Sequence, residues 1–381
     1  MGDTSDIYEI IDTGEALAKL VGAIENEKAI GVDLEADSMY HFKEKVCLIQ
    51  MATASLNVLI DPLAIEDLSA LRPIFKRHDI RKIFHGADYD IRSLYRDFDI
   101  TINNLFDTEL ASRFLGYPET SLEAVLKIKF DVTLDKKFQR KDWSKRPLSQ
   151  DMVAYAAKDA RYLLPLAQNL TAELENKGRL GWVQEECESL SKVRPSANNA
   201  DPLYLHFKGA GKLDSRSLAI LENLLQYRRE IAQKKDKPLF RIFSSRTLLM
   251  LAEKKPLTVK ILERANAMSP RQISMYGSGV TKAVRAAMQM SPEELPVYPR
   301  RKSPRVPLVV AGRVKALKKW RDKQAEKLAI DPALILTKAL INAIAVQKPL
   351  QLADLSNITE LKNWQRKEFG QDIVQVMKRI R

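Results

Sequence analysis

Asp33 and Glu35 leave the apolar run Ile30-Gly31-Val32-Asp33-Leu34-Glu35 two residues apart. In a strand, successive side chains alternate faces, so both carboxylates point one way while Val32 and Leu34 point the other. Two like charges about 4 Å apart repel by roughly 4 kcal/mol at an effective dielectric near 20. A pair kept that close wants a cation between its oxygens; a solvated strand end is the plain alternative. Further carboxylates decide between the two. Phe84-His85-Gly86-Ala87-Asp88-Tyr89-Asp90-Ile91 offers a strand end, a Gly turn and an acidic helix start. There Asp88 reads as the helix N-cap and Asp90 as the acid available to a site. Tyr155-Ala156-Ala157-Lys158-Asp159 puts a phenol and a carboxylate on one helix face at i,i+4, with alanines that let another element approach. Asp107 precedes a helix starting near Glu109, where capping that helix and supporting the acids fit equally well. His85 has no partner at metal-ligand spacing and reads as structural.

These groups need elements that bring them together. Residues 13–24 form a helical run. Residues 29–34, 46–51 and Asn57–Ile60 are strand-like, with Asp61-Pro62 closing the third. Short connections predict an antiparallel meander with the acidic pair on its first strand. Residues 67–78 and 90–98 read as helices around a short strand at 82–84, and Leu105-Phe106 as a further strand. A helix at 109–115 is stopped by Gly116-Tyr117-Pro118, Ser121 caps another, and one long helix runs from 150 to about 174. The pattern is α/β with a mixed sheet.

The 381 residues exceed one ordinary domain, and 45% hydrophobic with 29% charged residues is a globular composition. The net charge of +13 is unevenly spread. Residues 1–190 hold 24 basic against 33 acidic side chains, and residues 191–381 hold 38 against 16. The first half is thus net −9 and the second net +22, which marks the second for polyanion contact. Cys47 and Cys187 have no Cys or His at metal spacing, which argues against zinc or a disulfide framework. The polar start Met1-Gly2-Asp3-Thr4-Ser5-Asp6 is not a signal peptide, and the apolar run 334–346, interrupted by Lys338, is too short to span a bilayer. A soluble, reduced, cytoplasmic protein is expected.

Residues 194–202 and the proline-rich 291–307, with its Arg300-Arg301-Lys302 cluster, read as linkers. The segments they delimit repeat at a constant offset of 93. Tyr227-Arg228 matches Trp320-Arg321, Ala232 matches Ala325, Lys255-Pro256-Leu257 matches Lys348-Pro349-Leu350, and Tyr276-Gly277 matches Phe369-Gly370. The second half is a duplicated helical module.

Asp33, Glu35, Asp90 and Asp159, in that order, with Tyr155 four residues before the last, resemble the DEDD superfamily of 3′→5′ exonucleases in its tyrosine subclass. The histidine subclass would place His where Ala154 stands. Phe84-His85-Gly86-Ala87, Leu105-Phe106-Asp107-Thr108 and Gln139-Arg140-Lys141-Asp142-Trp143-Ser144-Lys145-Arg146-Pro147-Leu148 extend the likeness, the last being typical of the ribonuclease D branch. The helical repeats are similar to tandem HRDC domains.

The resemblance implies an α/β ribonuclease H-like exonuclease domain (a mixed sheet flanked by helices) at 1–192, followed by two all-α HRDC domains. A linker at 193–210 leads to the first HRDC domain at 211–290. A basic, proline-rich linker at 291–310 then leads to a more divergent second at 311–381. It implies a metal-dependent exoribonuclease that trims RNA 3′ ends and releases 5′-mononucleotides by two-metal hydrolysis. The partner would be RNA with a free 3′ end, such as a tRNA precursor, with no membrane and a monomeric chain. Asp33 would bridge two Mg²⁺ or Mn²⁺ ions, Glu35 and Asp159 would hold the ion on the nucleophile side, and Asp90 would support the other. Tyr155 would orient the attacking water. Carboxylates suit such hard ions, which in two-metal sites lie roughly 3.5–4 Å apart.

Between residues 127 and 146, eight basic side chains face three acidic ones, with Phe138 and Trp143 interleaved. That mixture suits single-stranded nucleic acid. Gln139, Arg140, Lys141, Trp143 and Arg146 are the candidate RNA contacts, although Trp143, beside Pro147 and Leu148, also fits a core. A DNA exonuclease and a non-catalytic nucleic-acid-binding scaffold are the alternatives. The four acids argue against a scaffold, and the 139–148 segment favours RNA.

Overall fold

The computed structural model describes residues 8–134, 136–195, 201–299 and 307–380. Of these, 8–36, 46–195 and 307–380 form one compact unit, and 37–45 with 201–299 form another. The first six residues, residues 196–200 of the first linker and the Arg300-Arg301-Lys302 cluster lie outside the described residues.

The first unit is built on a six-stranded sheet. Its chain order runs β1 (Glu9–Ile11), α1 (Gly14–Ile24), β2 (Ala29–Ala36), β3 (Val46–Ala52), β4 (Asn57–Ile60), α2 (Leu71–Lys76), β5 (Arg81–Phe84), α3 (Asp88–Phe98), β6 (Leu105–Asp107), α4 (Thr108–Leu115), α5 (Leu122–Phe130), α6 (Gln150–Asp159), α7 (Leu163–Asn176) and α8 (Leu180–Ser191). The spatial order is β1-β4-β3-β2-β5-β6. β2, β3 and β4 form the predicted antiparallel meander, while β5 joins β2 in parallel and β6 joins β5 in parallel. β1, which pairs parallel with β4, is only three residues long and leaves no periodicity to read.

Two predicted helices differ in extent. Residues 67–70 are not helical, because the Asp67 carboxylate accepts from the amide and hydroxyl of Ser69 and closes a local turn instead. The long helix expected from 150 to 174 breaks after Asp159. Pro165 has no N–H to give and sits in the first turn of α7, where none is needed.

The second unit holds α9 (Ser215–Lys235), α10 (Leu239–Ile242), α11 (Ser245–Lys254), α12 (Val259–Arg264) and α13 (Pro270–Gln289). Leu221, Leu248 and Val280 are among its fully buried residues. The segment Asp37–Lys45 belongs with it: Asp236, just past α9, accepts from Phe42 N at 3.0 Å and pairs with His41, and Arg241 lies over the Tyr40 ring.

The repeat then recurs in the first unit as α14 (Leu308–Leu328), α15 (Pro332–Ile335), α16 (Lys338–Gln347), a 3₁₀ turn (Leu352–Asn357) and α17 (Asn363–Lys378). Every element starts 93 residues after its counterpart. Internal bonds are copied too. Arg228 donates to Phe243 O and Arg321 to Leu336 O, and Gln272 donates to Ile242 O and Gln365 to Ile335 O.

This second repeat shares a hydrophobic core with the sheet domain. Trp364 at the start of α17 stacks on Trp182 of α8, with centroids 4.8 Å apart, and meets Phe114 edge-on at 5.5 Å. The Glu185 carboxylate accepts from Asn363 N (2.7 Å) and Trp364 N (2.8 Å), and so caps α17 from the other domain. Among the described residues no helix is long and apolar enough to cross a membrane.

Candidate active site

β2 lies inside the sheet between β3 and β5, and Asp33 and Glu35 project from it into a cleft of about 530 Å³. Gly31 explains how Asp159 joins them. A Cβ at Gly31 would lie 2.9 Å from Ala160 O and 3.1 Å from Leu163 Cβ. Glycine therefore lets the α6–α7 junction close onto β2 and carries the last residue of α6 to the acids. Asp90 arrives from the first turn of α3, after a turn in which Gly86 adopts φ +73°. Asp88 is not the N-cap of that helix. Ala87 holds that position, and the Asp88 carboxylate instead chelates Arg92 one turn on (2.7 and 2.9 Å).

The four acids lie in one another's field. Burial, then the charges of Asp33, Asp159 and Asp90, push the Glu35 carboxyl well above its ordinary range. Burial, Asp33 and Asp107 do the same to Asp90. Burial raises Asp33 to about 6, and burial with Asp33 raises Asp159 to about 8. Tyr155 hydrogen-bonds Asp159, and its ring packs against Trp143 (6.1 Å) and Phe138 (5.8 Å). Burial and the three nearest carboxylates raise its phenol, so it is neutral at every physiological pH.

Three further residues escaped the sequence reading. Glu109 lines the cleft, and burial and the Asp107 charge raise its carboxyl. His85, read as structural, does meet Thr108 Oγ1 at 2.9 Å, yet it also lines the cleft. Gln50 stands opposite Asp33 in the β2–β3 register, so the two side chains share a face. Gln50 is wholly buried, and its amide has no hydrogen-bond partner among the described residues. Only the strand register, not the spacing, could have paired Gln50 with Asp33.

Residues 8–175 match the 3′-5′ exonuclease family, and residues 217–284 and 310–377 each match the HRDC domain. The chain is 29% identical over 373 residues to the ribonuclease D of Desulfotalea psychrophila, an alignment that covers 96% of this chain and 97% of that protein. The crystal structure of Escherichia coli RNase D, described as an exoribonuclease involved in structured RNA processing, aligns with a TM-score of 0.74. It is 25% identical and the alignment covers 98% of this chain and 99% of that one. The chain belongs to the ribonuclease D family. It is also 31% identical over 283 residues to the protein RRP6-like 3 of Arabidopsis thaliana, but spans only 32% of that longer protein.

DEDD exonucleases of the ribonuclease D kind depend on metal, and the donor set here fits a hard divalent cation. Four desolvated carboxylates lie together, and none pairs with a Lys or Arg among the described residues. Burying charge without a partner is costly, and a cation removes that cost. Among the described residues no three such groups form a ready-made metal cage. Mg²⁺ binds that way in general, through one or two carboxylates with water and substrate phosphate completing the shell.

The basic strip of this ribonuclease D family member divides into two kinds of residue. Trp143 is wholly buried against Tyr155, so it braces the phenol and offers no face to a base. Arg146 holds Asp61 through two nitrogens and donates to Cys47 O at 2.7 Å, which ties the strip to β3 and β4. For Trp143 burial replaces the RNA contact expected from sequence, while Arg146 is exposed and held by its bonds to Asp61 and Cys47. Lys136 pairs with Glu123, and both line the cleft together with Gln139. Arg140 and Lys141 are exposed.

Proposed function

We propose that this cleft is the active site of a 3′→5′ exoribonuclease that removes 5′-mononucleotides one at a time. The observation that carries the reading is the convergence of a half-buried Asp33 with the buried Glu35, Asp90 and Asp159, none paired with a Lys or Arg among the described residues, around a neutral Tyr155. Asp33, Glu35, Asp90 and Asp159 would hold two divalent ions, Mg²⁺ or Mn²⁺, which supply Lewis-acid stabilisation of the charge that builds on the phosphate oxygens.

The chain's own groups do the rest. Tyr155 stays a phenol, so it positions the attacking water by hydrogen bonding and does not take its proton. Trp143 and Phe138 fix the ring that does this. Leu122 and Leu134 give the terminal nucleotide an apolar wall, while Lys136 and Gln139 offer polar contacts. A cleft of about 530 Å³ takes a single nucleotide, not a duplex, which suits removal from a free end. Arg140 and Lys141 contact the strand upstream.

The natural substrates are proposed to be tRNA precursors with a free 3′ end, and the chain to act as a cytoplasmic monomer. The proposed domains are 1–192, 211–290 and 311–381, with linkers at 193–210 and 291–310. The test incubates 5′-labelled RNA with Mg²⁺ or Mn²⁺ and follows the ladder. Metal-dependent shortening from the 3′ end with release of 5′-mononucleotides is expected. Cleavage that starts internally, or none, rejects the reading.

A further inference from the structure

Asp107 ends β6 at only 2% exposure, and its carboxylate serves two turns at once. Oδ1 accepts from Glu109 N (2.8 Å) and Leu110 N (3.2 Å) and so caps α4. Oδ1 also accepts from Gly86 N (2.9 Å), and Oδ2 from Ala87 N (2.8 Å). Those two amides belong to the turn that launches α3, whose own N-cap residue, Ala87, has no side chain that can cap it. Thr108 ties the same junction, since its hydroxyl donates to Phe84 O at 3.0 Å and meets His85 Nδ1. The start of α3 is therefore set by the β6–α4 corner and not by α3 itself. Asp90 is three residues past Ala87, in the first turn so fixed.

We propose that Asp107 is a positioning residue for Asp90, holding the start of α3 so that the Asp90 carboxylate stays with Asp33 and the cluster keeps its affinity for a divalent cation. This rests on the reading of the cleft as a metal-dependent nuclease site. Only a carboxylate suits the position. Bonds from four N–H groups to an anion are charge-assisted, and all four point at two acceptor oxygens. Asn would turn an NH₂ toward amides that also donate. Ser would keep the cap on α4 but could not reach the second turn.

The test uses the full chain and three readouts: Mn²⁺ binding by calorimetry, RNA cleavage against Mn²⁺ concentration, and thermal unfolding. Asp107→Asn is expected to raise the half-saturating Mn²⁺ concentration by about tenfold, at the low end of what supporting residues of a metal site carry. Turnover should fall at fixed Mn²⁺ and recover as Mn²⁺ is raised, with KM for RNA unchanged within about twofold. Asp107→Ser, which retains the α4 cap, should show the same weakening. In an Asp90→Asn background, Asp107→Asn should change Mn²⁺ binding by less than about twofold, because the group it positions is gone. The proposal is overturned if both Asp107 variants bind Mn²⁺ like the parent while unfolding at lower temperature. It is also overturned if the weakening persists undiminished without Asp90, or if neither variant folds. A parent chain that binds Mn²⁺ yet cuts no RNA overturns the nuclease reading instead.

Discussion

The cleft of the sheet domain and the first helical repeat hold opposite charges in opposite ways. In the acidic cluster, Glu35, Asp90 and Asp159 are at most 8% exposed, and the charge of at least one neighbouring acid raises the proton affinity of each. Between residues 215 and 289, 15 basic residues face 5 acidic ones, and all but Arg216, Arg228 and Lys255 of the basic set are exposed. Buried like charges are costly until a ligand compensates them, so they do short-range chemistry. Solvated charges cost little and act over the Debye length, so they suit capture of a polyanion. The second repeat keeps the helical skeleton but differs in what it exposes. Where the first repeat exposes Ser269, Pro270 and Arg271, the second has Lys362, Asn363 and Trp364 against α8. Its charge also drops, to 13 basic against 7 acidic over residues 308–378. The second copy is bound into the unit that holds the acidic cluster.

Several substitutions would break or sharpen this contrast. Tyr155→Phe should lower turnover by about 10²–10⁴-fold, the usual reach of a positioned proton-bearing group, and leave Mn²⁺ and RNA binding intact. Steady-state kinetics beside a binding isotherm reads both, and undiminished turnover would remove Tyr155 from the chemistry. Trp364→Ala should destabilise the catalytic unit by about 3–5 kcal/mol, because it empties a stacked aromatic site. Its counterpart Arg271→Ala should stay within about 0.5 kcal/mol in the same denaturation assay. Equal effects would mean the two repeats are used alike.

A third prediction concerns pH. The carboxyl groups of Asp33 and Asp159 are raised in the folded chain, to about 6 and about 8. A raised group contributes stability that is fully present below its unfolded value near 4 and is lost as pH rises through the folded value. The metal-free protein should therefore lose stability between about pH 4 and 8, and Asp159→Asn should flatten that loss. Metal binding needs the deprotonated forms, so the thermal shift given by Mn²⁺ should grow over the same window. A shift that is constant or shrinks with pH contradicts the account. The smallest effect is expected from Lys260→Ala with Arg271→Ala. If each meets one phosphate, the log–log salt slope of RNA binding should fall in magnitude by about 1.4 in total, with turnover unchanged. A wild-type slope would place the RNA elsewhere.

Much of this organisation was legible in the chain itself. The acidic strand, the tyrosine helix and the offset of 93 are written in period and spacing, and the elements fall where those patterns put them. What the pattern could not show was which side chains the fold occupies. Trp143 and Arg146 have the composition of an RNA contact, but burial and the Asp61 pair claim them. Asp88 looked like a cap because capping residues are short acids, yet Asp107 caps that turn from another strand, and such a bond has no signature in sequence distance. The break after Asp159 follows from Pro165, and its purpose, close approach to Gly31, follows from a contact between elements well over a hundred residues apart.

The central claim is that a carboxylate cluster cuts while separate, solvated cations hold. Asp33→Asn tests it most directly, with RNA binding and 3′-end cleavage measured on the same preparation in Mn²⁺. Loss of a metal-holding carboxylate should exceed the 10–100-fold typical of a supporting residue, so cleavage should fall by more than about a hundredfold while RNA affinity stays within about twofold. Cleavage at the wild-type rate, or a loss of RNA binding as large as the loss of cleavage, would contradict it.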